Sequence, residues 1–243
     1  MAEPLVLLHT LGSDRRMWDP VLGLLSPERD AVALDLPGFG AAPPLPEGSP
    51  ATPAALAAAV AEQIRSLGLA RPHVAGNSLG GWVALELALA GLARSVTAIA
   101  PAGLWARPLM EKRGLARAAA RAALPLLSAL VRSPRGRKLA LSAAVAHPER
   151  VPAAAAARLV RSYATAPGFE AANRAMRAGR FTGLGRIRVP VTLVWPEHDR
   201  LVGRPANLPR SIHSVVLRGC GHLPTWDDPE QVARLLLRGS AHS

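Results

Sequence analysis

The segment 72–90 constrains the fold most, because it predicts a short strand, a tight turn and a helix in immediate succession. The turn, residues 76–80, reads Gly-Asn-Ser-Leu-Gly, with glycines two positions before and two positions after the serine. A serine held in a strained conformation between a strand and a helix needs such small neighbours. The helix that follows adds its positive N-terminal end, and the N–H of Leu79 can donate to a developing oxyanion. The pattern therefore predicts Ser78 as a nucleophile.

An acidic residue and a histidine follow in the second half of the chain, each after an apolar run that predicts a strand. Asp199 follows the run 189–195, and His222 follows the run 213–218 within the sequence Gly-Cys-Gly-His-Leu-Pro. The carboxyl ends of parallel strands meet at one edge of an open sheet, where ligands bind. We therefore expect Ser78, Asp199 and His222 to converge there as nucleophile, acid and base.

Apolar runs and helical stretches alternate along the chain. Strands are predicted near 4–9, 31–35, 72–76, 95–100, 189–195 and 213–218, and helices near 53–68, 79–92 and 228–238. This alternation is typical of an α/β fold, with a mostly parallel sheet and helices on both of its faces. The length of 243 residues suits one such domain with a large buried core.

Almost ninety residues separate the fourth predicted strand from the fifth, where a single crossover helix would suffice. Alanine-rich runs in this segment predict short helices, broken at Pro125, Pro134, Pro148, Pro152 and Pro167. We expect residues 104–186 to form a helical cap, or lid, on a core made by residues 1–103 and 187–243. A lid over the nucleophile would exclude water and shape the pocket, so this segment would determine specificity.

These segments together resemble the α/β-hydrolase superfamily, in particular its esterase, carbon–carbon hydrolase and lactonase branch, over nearly the whole sequence. Its members carry the serine, the acid and the histidine in this same order. Residues 7–12, Leu-Leu-His-Thr-Leu-Gly, are similar to the family's oxyanion loop, and residues 35–40, Asp-Leu-Pro-Gly-Phe-Gly, to its Asp-x-Pro-Gly-x-Gly loop. The resemblance implies that the N–H of Leu11 is the second oxyanion donor, although Thr10 replaces the usual glycine.

The resemblance also bears on the sheet and on the choice of acid. Family members usually begin with two further, largely antiparallel strands, which this chain does not supply. The sheet should therefore have about six strands, with strand 31–35 at or near an edge. The family spacing selects Asp199 over Glu197, whereas the segment 227–230 better fits the N-cap and first turn of the last helix.

The resemblance leaves the substrate open. Residues 9–20 are similar to the enol-lactonases and residues 76–81 to the meta-cleavage-product hydrolases, while serine at position 78 argues against the related dehalogenases and epoxide hydrolases. We favour a cofactor-independent serine hydrolase that cleaves a small to medium carboxylic ester or thioester through an acyl-enzyme. The alternatives are a carbon–carbon bond hydrolase of dienoates, an enol-lactonase, or a non-catalytic small-molecule binding protein on the same fold.

Other residues have a structural or a substrate-binding interpretation. We expect Asp35 to fix the turn that follows it and His9 to support the oxyanion loop. Cys220 lacks a context that would lower its pKa, and no spacing of Cys, His or carboxylates suggests a metal site. Candidate residues of the substrate pocket are Thr10, Asn77, Trp82, Trp105 and Leu223, although tryptophans as often fill a core or an interface.

The net charge of +12 is concentrated in the middle of the chain. Residues 104–188 contain 17 Lys and Arg against three acids, a net charge of +14, so the rest carries −2. We expect no nucleic-acid binding, because interleaved aromatics, zinc ligands and helix-turn-helix signals are missing. Solvated helix faces are the favoured explanation. Arg113, Arg117 and Arg121 nevertheless form a basic stripe, which would suit an acidic acyl carrier such as an acyl carrier protein or coenzyme A.

The number of cysteines and the hydropathy pattern predict the cellular compartment. The single cysteine, Cys220, excludes an internal disulfide, and the N-terminus shows no signal-peptide pattern, so we expect a cytoplasmic protein. We expect no membrane span, because Arg, Pro or Gly interrupts every apolar run.

Overall fold

Six parallel strands form one sheet in the part of the chain that the computed structural model describes, residues 3–110, 115–209 and 212–241. The strands are β1 (Glu3–Leu8), β2 (Arg29–Leu34), β3 (His73–Asn77), β4 (Val96–Ile99), β5 (Val191–Pro196) and β6 (His213–Leu217). Their order is β2-β1-β3-β4-β5-β6, and every neighbouring pair is parallel. The predicted α/β fold with a parallel sheet of about six strands is confirmed, with β2 at an edge.

Helices cover both faces of this sheet. On one face, α2 (Pro53–Ser66) and α3 (Leu79–Leu89) bury Leu56, Val60 and Val83 in a hydrophobic cluster. On the other face, α1 (Asp19–Leu25) and α9 (Pro229–Gly239) bury Val21, Leu25, Val232 and Leu236. Every residue of β3, β4 and β5 is buried, as expected for parallel strands covered on two sides.

The predicted helices near 53–68, 79–92 and 228–238 are present as α2, α3 and α9. Helix α1 was not predicted. It has only seven residues, with Pro at its start and Gly23 inside, so its apolar periodicity is too short to stand out. None of the described helices is long and apolar enough to cross a membrane.

Five short helices lie between β4 and β5 in the described residues. They are α4 (Leu115–Ala122), α5 (Leu124–Leu130), α6 (Pro134–Leu141), α7 (Ala153–Thr165) and α8 (Phe169–Ala178). The five prolines named above lie at helix starts or between helices, where the missing N–H and the fixed φ of proline are tolerated. Of the predicted basic stripe, Arg117 and Arg121 lie on α4, whereas Arg113 lies outside the described residues.

The two ends of the segment 104–186 run side by side. The Leu109 N–H donates to the Arg177 carbonyl over 2.8 Å, and the Phe181 N–H donates to the Gly103 carbonyl over 2.9 Å. Its helices also pack against the rest of the chain on two sides. Phe169, Met176 and Phe181 join the cluster of α2 and α3, while Val145, Val151 and Val160 join that of α1 and α9.

Candidate active site

Ser78 occupies the turn between β3 and α3 in a left-handed backbone conformation, with φ of 56° and ψ of −112°. Hydrogen bonds on both sides hold this conformation. The Ser78 N–H donates to the Ile99 carbonyl over 2.8 Å, and the Ser78 carbonyl accepts from the N–H groups of Trp82 and Ala102, each over 3.0 Å. A non-glycine residue persists in such a conformation only where its surroundings enforce it, which is typical of functional sites.

The glycines around Ser78 are required by close backbone approaches. A Cβ atom on Gly76 would collide with the main chain of Gly80. A Cβ atom on Gly80 would collide with the carbonyl oxygens of Leu8 and His9, at the end of β1. The two glycines therefore let α3 begin directly against β1 and β3, which brings the loop after β1 beside the serine turn.

His9 organises the loop after β1. Its ring is fully buried, Nδ1 donates to the Thr10 carbonyl over 2.7 Å, and Nε2 accepts from the Leu36 N–H over 3.0 Å. Because Nε2 is an acceptor, the ring is neutral, and burial lowers its pKa despite the bond to Thr10 and the nearby charge of Asp35. Both ring nitrogens are thus used to hold the loop, as expected for a supporting residue.

The two predicted oxyanion donors have no hydrogen-bond acceptor among the described residues. Leu79 is the first residue of α3, where backbone N–H groups lack an intrahelical partner. Across the described residues, neither the N–H of Leu79 nor that of Leu11 donates to another group of the chain. Thr10, which replaces the usual glycine, does not need a left-handed backbone, because its φ is not positive. Their role as oxyanion donors stays a prediction.

Asp199 and His222 are in direct contact. Asp199 follows β5 and His222 follows β6, and Oδ2 of the aspartate accepts from Nδ1 of the histidine over 2.7 Å. The two side chains are only 3% and 5% exposed. The other carboxylate oxygen accepts from the N–H groups of Leu201 and Val202 over 2.7 and 3.0 Å, which fixes its orientation. Asp199 therefore occupies Nδ1 and leaves Nε2 as the other ring nitrogen.

The competing acids have other contacts. Glu197 is half-exposed and accepts from the Gly219 N–H over 2.9 Å. Asp228 caps α9 by accepting from the Gln231 N–H over 2.8 Å. Asp227 was expected at the same helix end, but its carboxylate instead accepts from the N–H of Gly221 over 2.8 Å. In the described part of the chain, Asp199 is the acid that contacts the ring of His222.

Asn77 connects the serine turn to the loop of His222. Its amide nitrogen donates to the carbonyl of His222 over 3.1 Å and to that of Ile99 over 3.2 Å. The side chain is completely buried, so this nitrogen contacts the chain rather than a substrate. The contact places the residue next to Ser78 against the main chain of His222.

The other pocket candidates occupy two places. Trp82 and Trp105 form an edge-to-face pair with centroids 5.9 Å apart, and the Trp105 Nε1 donates to the Gly179 carbonyl over 2.9 Å. This pair lies where the segment 104–186 joins the rest of the chain. Thr10 and Leu223 are buried next to His9 and His222 in the sequence. A role of these residues in substrate contact stays a prediction.

Asp35 and Cys220 have the environments of structural residues. The Asp35 carboxylate accepts from the N–H groups of Arg15 and Ala41 over 2.7 and 2.9 Å, which fixes the loop after β2. Burial, together with nearby acids such as Asp227, raises the pKa of the Cys220 thiol to about 12. Within the described ranges, no group of three or more His, Cys, Asp or Glu is placed to hold a metal ion.

Residues of α7 and α8 pack directly onto the loop after β1, which the sequence did not indicate. A Cβ atom on Gly12 would lie 2.9 Å from the ring of Phe169 and 3.2 Å from that of Tyr163. The guanidinium of Arg117 stacks over the Phe169 ring at 4.7 Å from its centroid. The segment 104–186 therefore contacts the loop that carries Leu11.

Comparison with known proteins identifies a family to which the chain is similar. A model of the alpha/beta hydrolase family matches residues 5–235. An epoxide hydrolase, EphH, from Mycobacterium tuberculosis is 34% identical over 198 residues, which cover 75% of this chain and 92% of that protein. A crystal structure of a membrane phospholipase A, described as a bacterial virulence factor, is 27% identical, with a TM-score of 0.75 over 100% of this chain and 80% of that one.

Other relatives match only in part. A pimeloyl-[acyl-carrier protein] methyl ester esterase from Legionella pneumophila is 45% identical over 40 residues, which cover 16% of this chain and 17% of that protein. The chain spans less than a quarter of the length of several curated relatives that it matches.

Proposed function

Because the chain belongs to the alpha/beta hydrolase family, we propose that it is a serine hydrolase that cleaves a carboxylic ester or thioester through an acyl-enzyme. Ser78 is the nucleophile, His222 is the general base, and Asp199 orients the imidazole. One observation carries this proposal. The buried 2.7 Å hydrogen bond between His222 and Asp199 lies at the carboxyl ends of the parallel strands, as does the strained turn of Ser78.

The proposed reaction has two halves. Nε2 of His222 takes the hydroxyl proton of Ser78 as its oxygen attacks the substrate carbonyl, and the N–H groups of Leu11 and Leu79 stabilise the oxyanion. The protonated histidine then gives this proton to the departing alcohol or thiol, which leaves an ester between Ser78 and the acyl group. Water, deprotonated by the same nitrogen, attacks that ester and releases the acid, and the proton returns to the serine.

The serine at position 78 argues against epoxide hydrolysis, although one relative is named an epoxide hydrolase. Attack of a serine oxygen on an epoxide carbon would form an ether, which has no carbonyl for water to attack. An ester or thioester instead forms an acyl-enzyme that water can cleave. We therefore expect turnover of p-nitrophenyl butyrate and none of styrene oxide. Steady hydrolysis of the epoxide that is lost in Ser78→Ala would contradict this assignment.

Residues 104–186 act as the cap in this proposal, and residues 1–103 and 187–243 form the core. The contacts of Tyr163 and Phe169 with Gly12 support it, because they cover the loop of a proposed oxyanion donor. Such a cover limits the access of water and the length of the acyl chain. The specificity would then depend on the cap residues nearest to this loop.

The central test is Ser78→Ala. The variant should lose p-nitrophenyl ester hydrolysis and labelling by a fluorophosphonate probe, because both require the serine oxygen. Ser66→Ala is the matched control, since this serine is exposed at the end of α2 and should keep full activity. Undiminished labelling of Ser78→Ala would reject the proposal.

An acidic acyl carrier is a second candidate for the leaving group. Arg121, Arg132 and Arg135 are exposed on or between α4, α5 and α6, and one relative is named for an acyl-carrier-protein substrate. Opposite charges would steer such a carrier towards the cap, an effect that salt screens. The kcat/KM for butyryl-coenzyme A should therefore fall with added salt, while that for p-nitrophenyl butyrate stays constant. Equal salt dependence for both substrates would remove this candidate.

A further inference from the structure

Asp227 connects the loop of His222 to the segment 104–186. One oxygen of its carboxylate accepts from the N–H of Gly221, directly before His222, over 2.8 Å, and from the N–H of Ala146 over 3.0 Å. The other oxygen accepts from the N–H of His147 over 2.7 Å. A single side chain thus joins two main-chain segments that lie about 75 residues apart in the sequence.

Residues 144–147, which we call the strap, lie directly on this loop. The N–H of Leu223, the residue after the histidine, donates to the Ala144 carbonyl over 2.8 Å. A Cβ atom on Gly221 would lie 2.8 Å from the Ala146 nitrogen and 3.0 Å from the Ala144 oxygen. The glycine is therefore needed for the strap to approach, and the strap binds the main chain on both sides of the histidine.

The environment of Asp227 is unusual for a residue next to a helix start. Its side chain is buried, and a buried carboxylate is costly unless hydrogen bonds compensate it. Three main-chain N–H groups supply that compensation, and none of them belongs to α9. The capping of α9 is performed by Asp228. The carboxylate of Asp227 is therefore committed to the contact between the strap and the histidine loop.

We propose that Asp227 is a positioning residue for His222, and that the strap must be seated on it for the histidine to act as a base. The proposal rests on the proposed function, because it concerns the residue assigned there as the base. The buried amide of Asn77, the last residue of β3, donates to the His222 carbonyl, so the loop is held by β3 as well as by the strap. The cap is accordingly anchored at the strap.

Asp227→Asn tests the proposal, with Asp228→Asn as the matched control. The amide has one acceptor oxygen in place of two, so it loses at least one of the three bonds and turns an NH₂ group towards a main-chain N–H. A displacement of the base by a fraction of an ångström to 1 Å should lower kcat about 10- to 100-fold for p-nitrophenyl butyrate, with little change in KM. Asp228→Asn should keep kcat within about twofold, because asparagine also caps helices and the hydrogen bonds of Asp228 go to Gln231 rather than to the strap or the histidine loop.

Hydrogen exchange separates positioning from a general loss of stability. In Asp227→Asn, exchange should accelerate in peptides that cover 142–148 and 219–225, and stay unchanged in peptides that cover β1 and β3. Asp227→Glu retains both acceptor oxygens, so its kcat should lie above that of Asp227→Asn. If the Asp227→Asn protein does not fold, the same measurements are made on Asp227→Glu. A folded Asp227→Asn variant with wild-type kcat, or with unchanged exchange in both peptides, would overturn the proposal. Absence of Ser78-dependent activity in the wild type would reject the proposed function instead, and the exchange result would still decide whether Asp227 seats the strap.

Discussion

The carboxylate of Asp199 is hydrogen-bonded to Nδ1 of His222 over 2.7 Å, and two further N–H groups hold its second oxygen. A carboxylate in this position favours the tautomer whose proton is on Nδ1, which leaves Nε2 as an acceptor for a hydroxyl proton. It also stabilises the imidazolium that forms when the proton is taken. The tautomer of the proposed base therefore depends on Asp199, while Asp227 and Asn77 contact the main chain of its loop.

Asp199→Asn should lower kcat for p-nitrophenyl butyrate by about 10³- to 10⁴-fold, because an amide NH₂ group facing Nδ1 favours the wrong tautomer. Glu197→Gln is the control, since Glu197 lies two residues earlier, is half-exposed, and contacts the Gly219 N–H and the ring of His198 rather than that of His222. Its kcat should stay within about twofold of the wild type. A larger loss in the glutamine variant than in the asparagine variant would transfer the acid's role to Glu197.

Gly80→Ala should abolish the native serine turn. The added Cβ would collide with the carbonyl oxygens of Leu8 and His9. These oxygens cannot move away, because they belong to the main chain at the end of a buried strand. We expect insoluble protein or a loss of at least about 3 kcal/mol in the free energy of unfolding, measured in urea. Gly23→Ala, in the open interior of α1, should instead stabilise the protein by about 0.5–1 kcal/mol. A stable, active Gly80→Ala variant would contradict the close approach.

Local signals explain what could be predicted from the sequence. The strands are short apolar runs between turn residues. The spacing of Gly76 and Gly80 around Ser78 is typical of the strained turn between a strand and a helix. The sequence does not predict helix α1, because its seven residues make fewer than two full helical turns and the apolar repeat is too short to recognise.

The contacts of Asp227 could not be predicted for a different reason. Its hydrogen-bond donors are main-chain groups of Ala146, His147 and Gly221, and a main-chain N–H has no residue-specific signal in the sequence. Two adjacent aspartates before Pro229 fit a helix cap equally well, and only the fold shows that Asp228 alone has that role. The contact of Phe169 with Gly12 depends in the same way on how α8 packs.

Cys220 should be inert in the native protein. Burial raises the pKa of its thiol to about 12, so the thiolate that reacts with Ellman's reagent is scarce at pH 8. Labelling should proceed only after addition of guanidinium chloride, and Cys220→Ala should keep its ester hydrolysis. Since the folded pKa lies above the unfolded one, the stabilisation is complete below about pH 8.5 and is lost as the pH rises towards 12. Fast labelling of the native thiol at pH 8 would contradict its burial.

Arg117→Met should loosen the cover over the loop of Leu11. The guanidinium donates to the carbonyls of Tyr163 and Ala166 over 2.9 and 2.6 Å, at the C-terminal end of α7, where helix carbonyls lack partners and a positive charge is favourable. It also stacks on Phe169, whose ring lies against Gly12.

Loss of these contacts should reduce the free energy of unfolding by about 1–3 kcal/mol, because two carbonyls and the Glu170 carboxylate lose a charged donor and the ring loses its cation. The KM for p-nitrophenyl butyrate should rise, while fluorophosphonate labelling of Ser78 continues, because the serine turn itself is untouched. Arg121→Met, one helical turn further along α4 and exposed, is the control and should change neither quantity beyond error. Equal effects of the two substitutions would mean that net charge, rather than the specific contacts of Arg117, holds α7 and α8 on this loop.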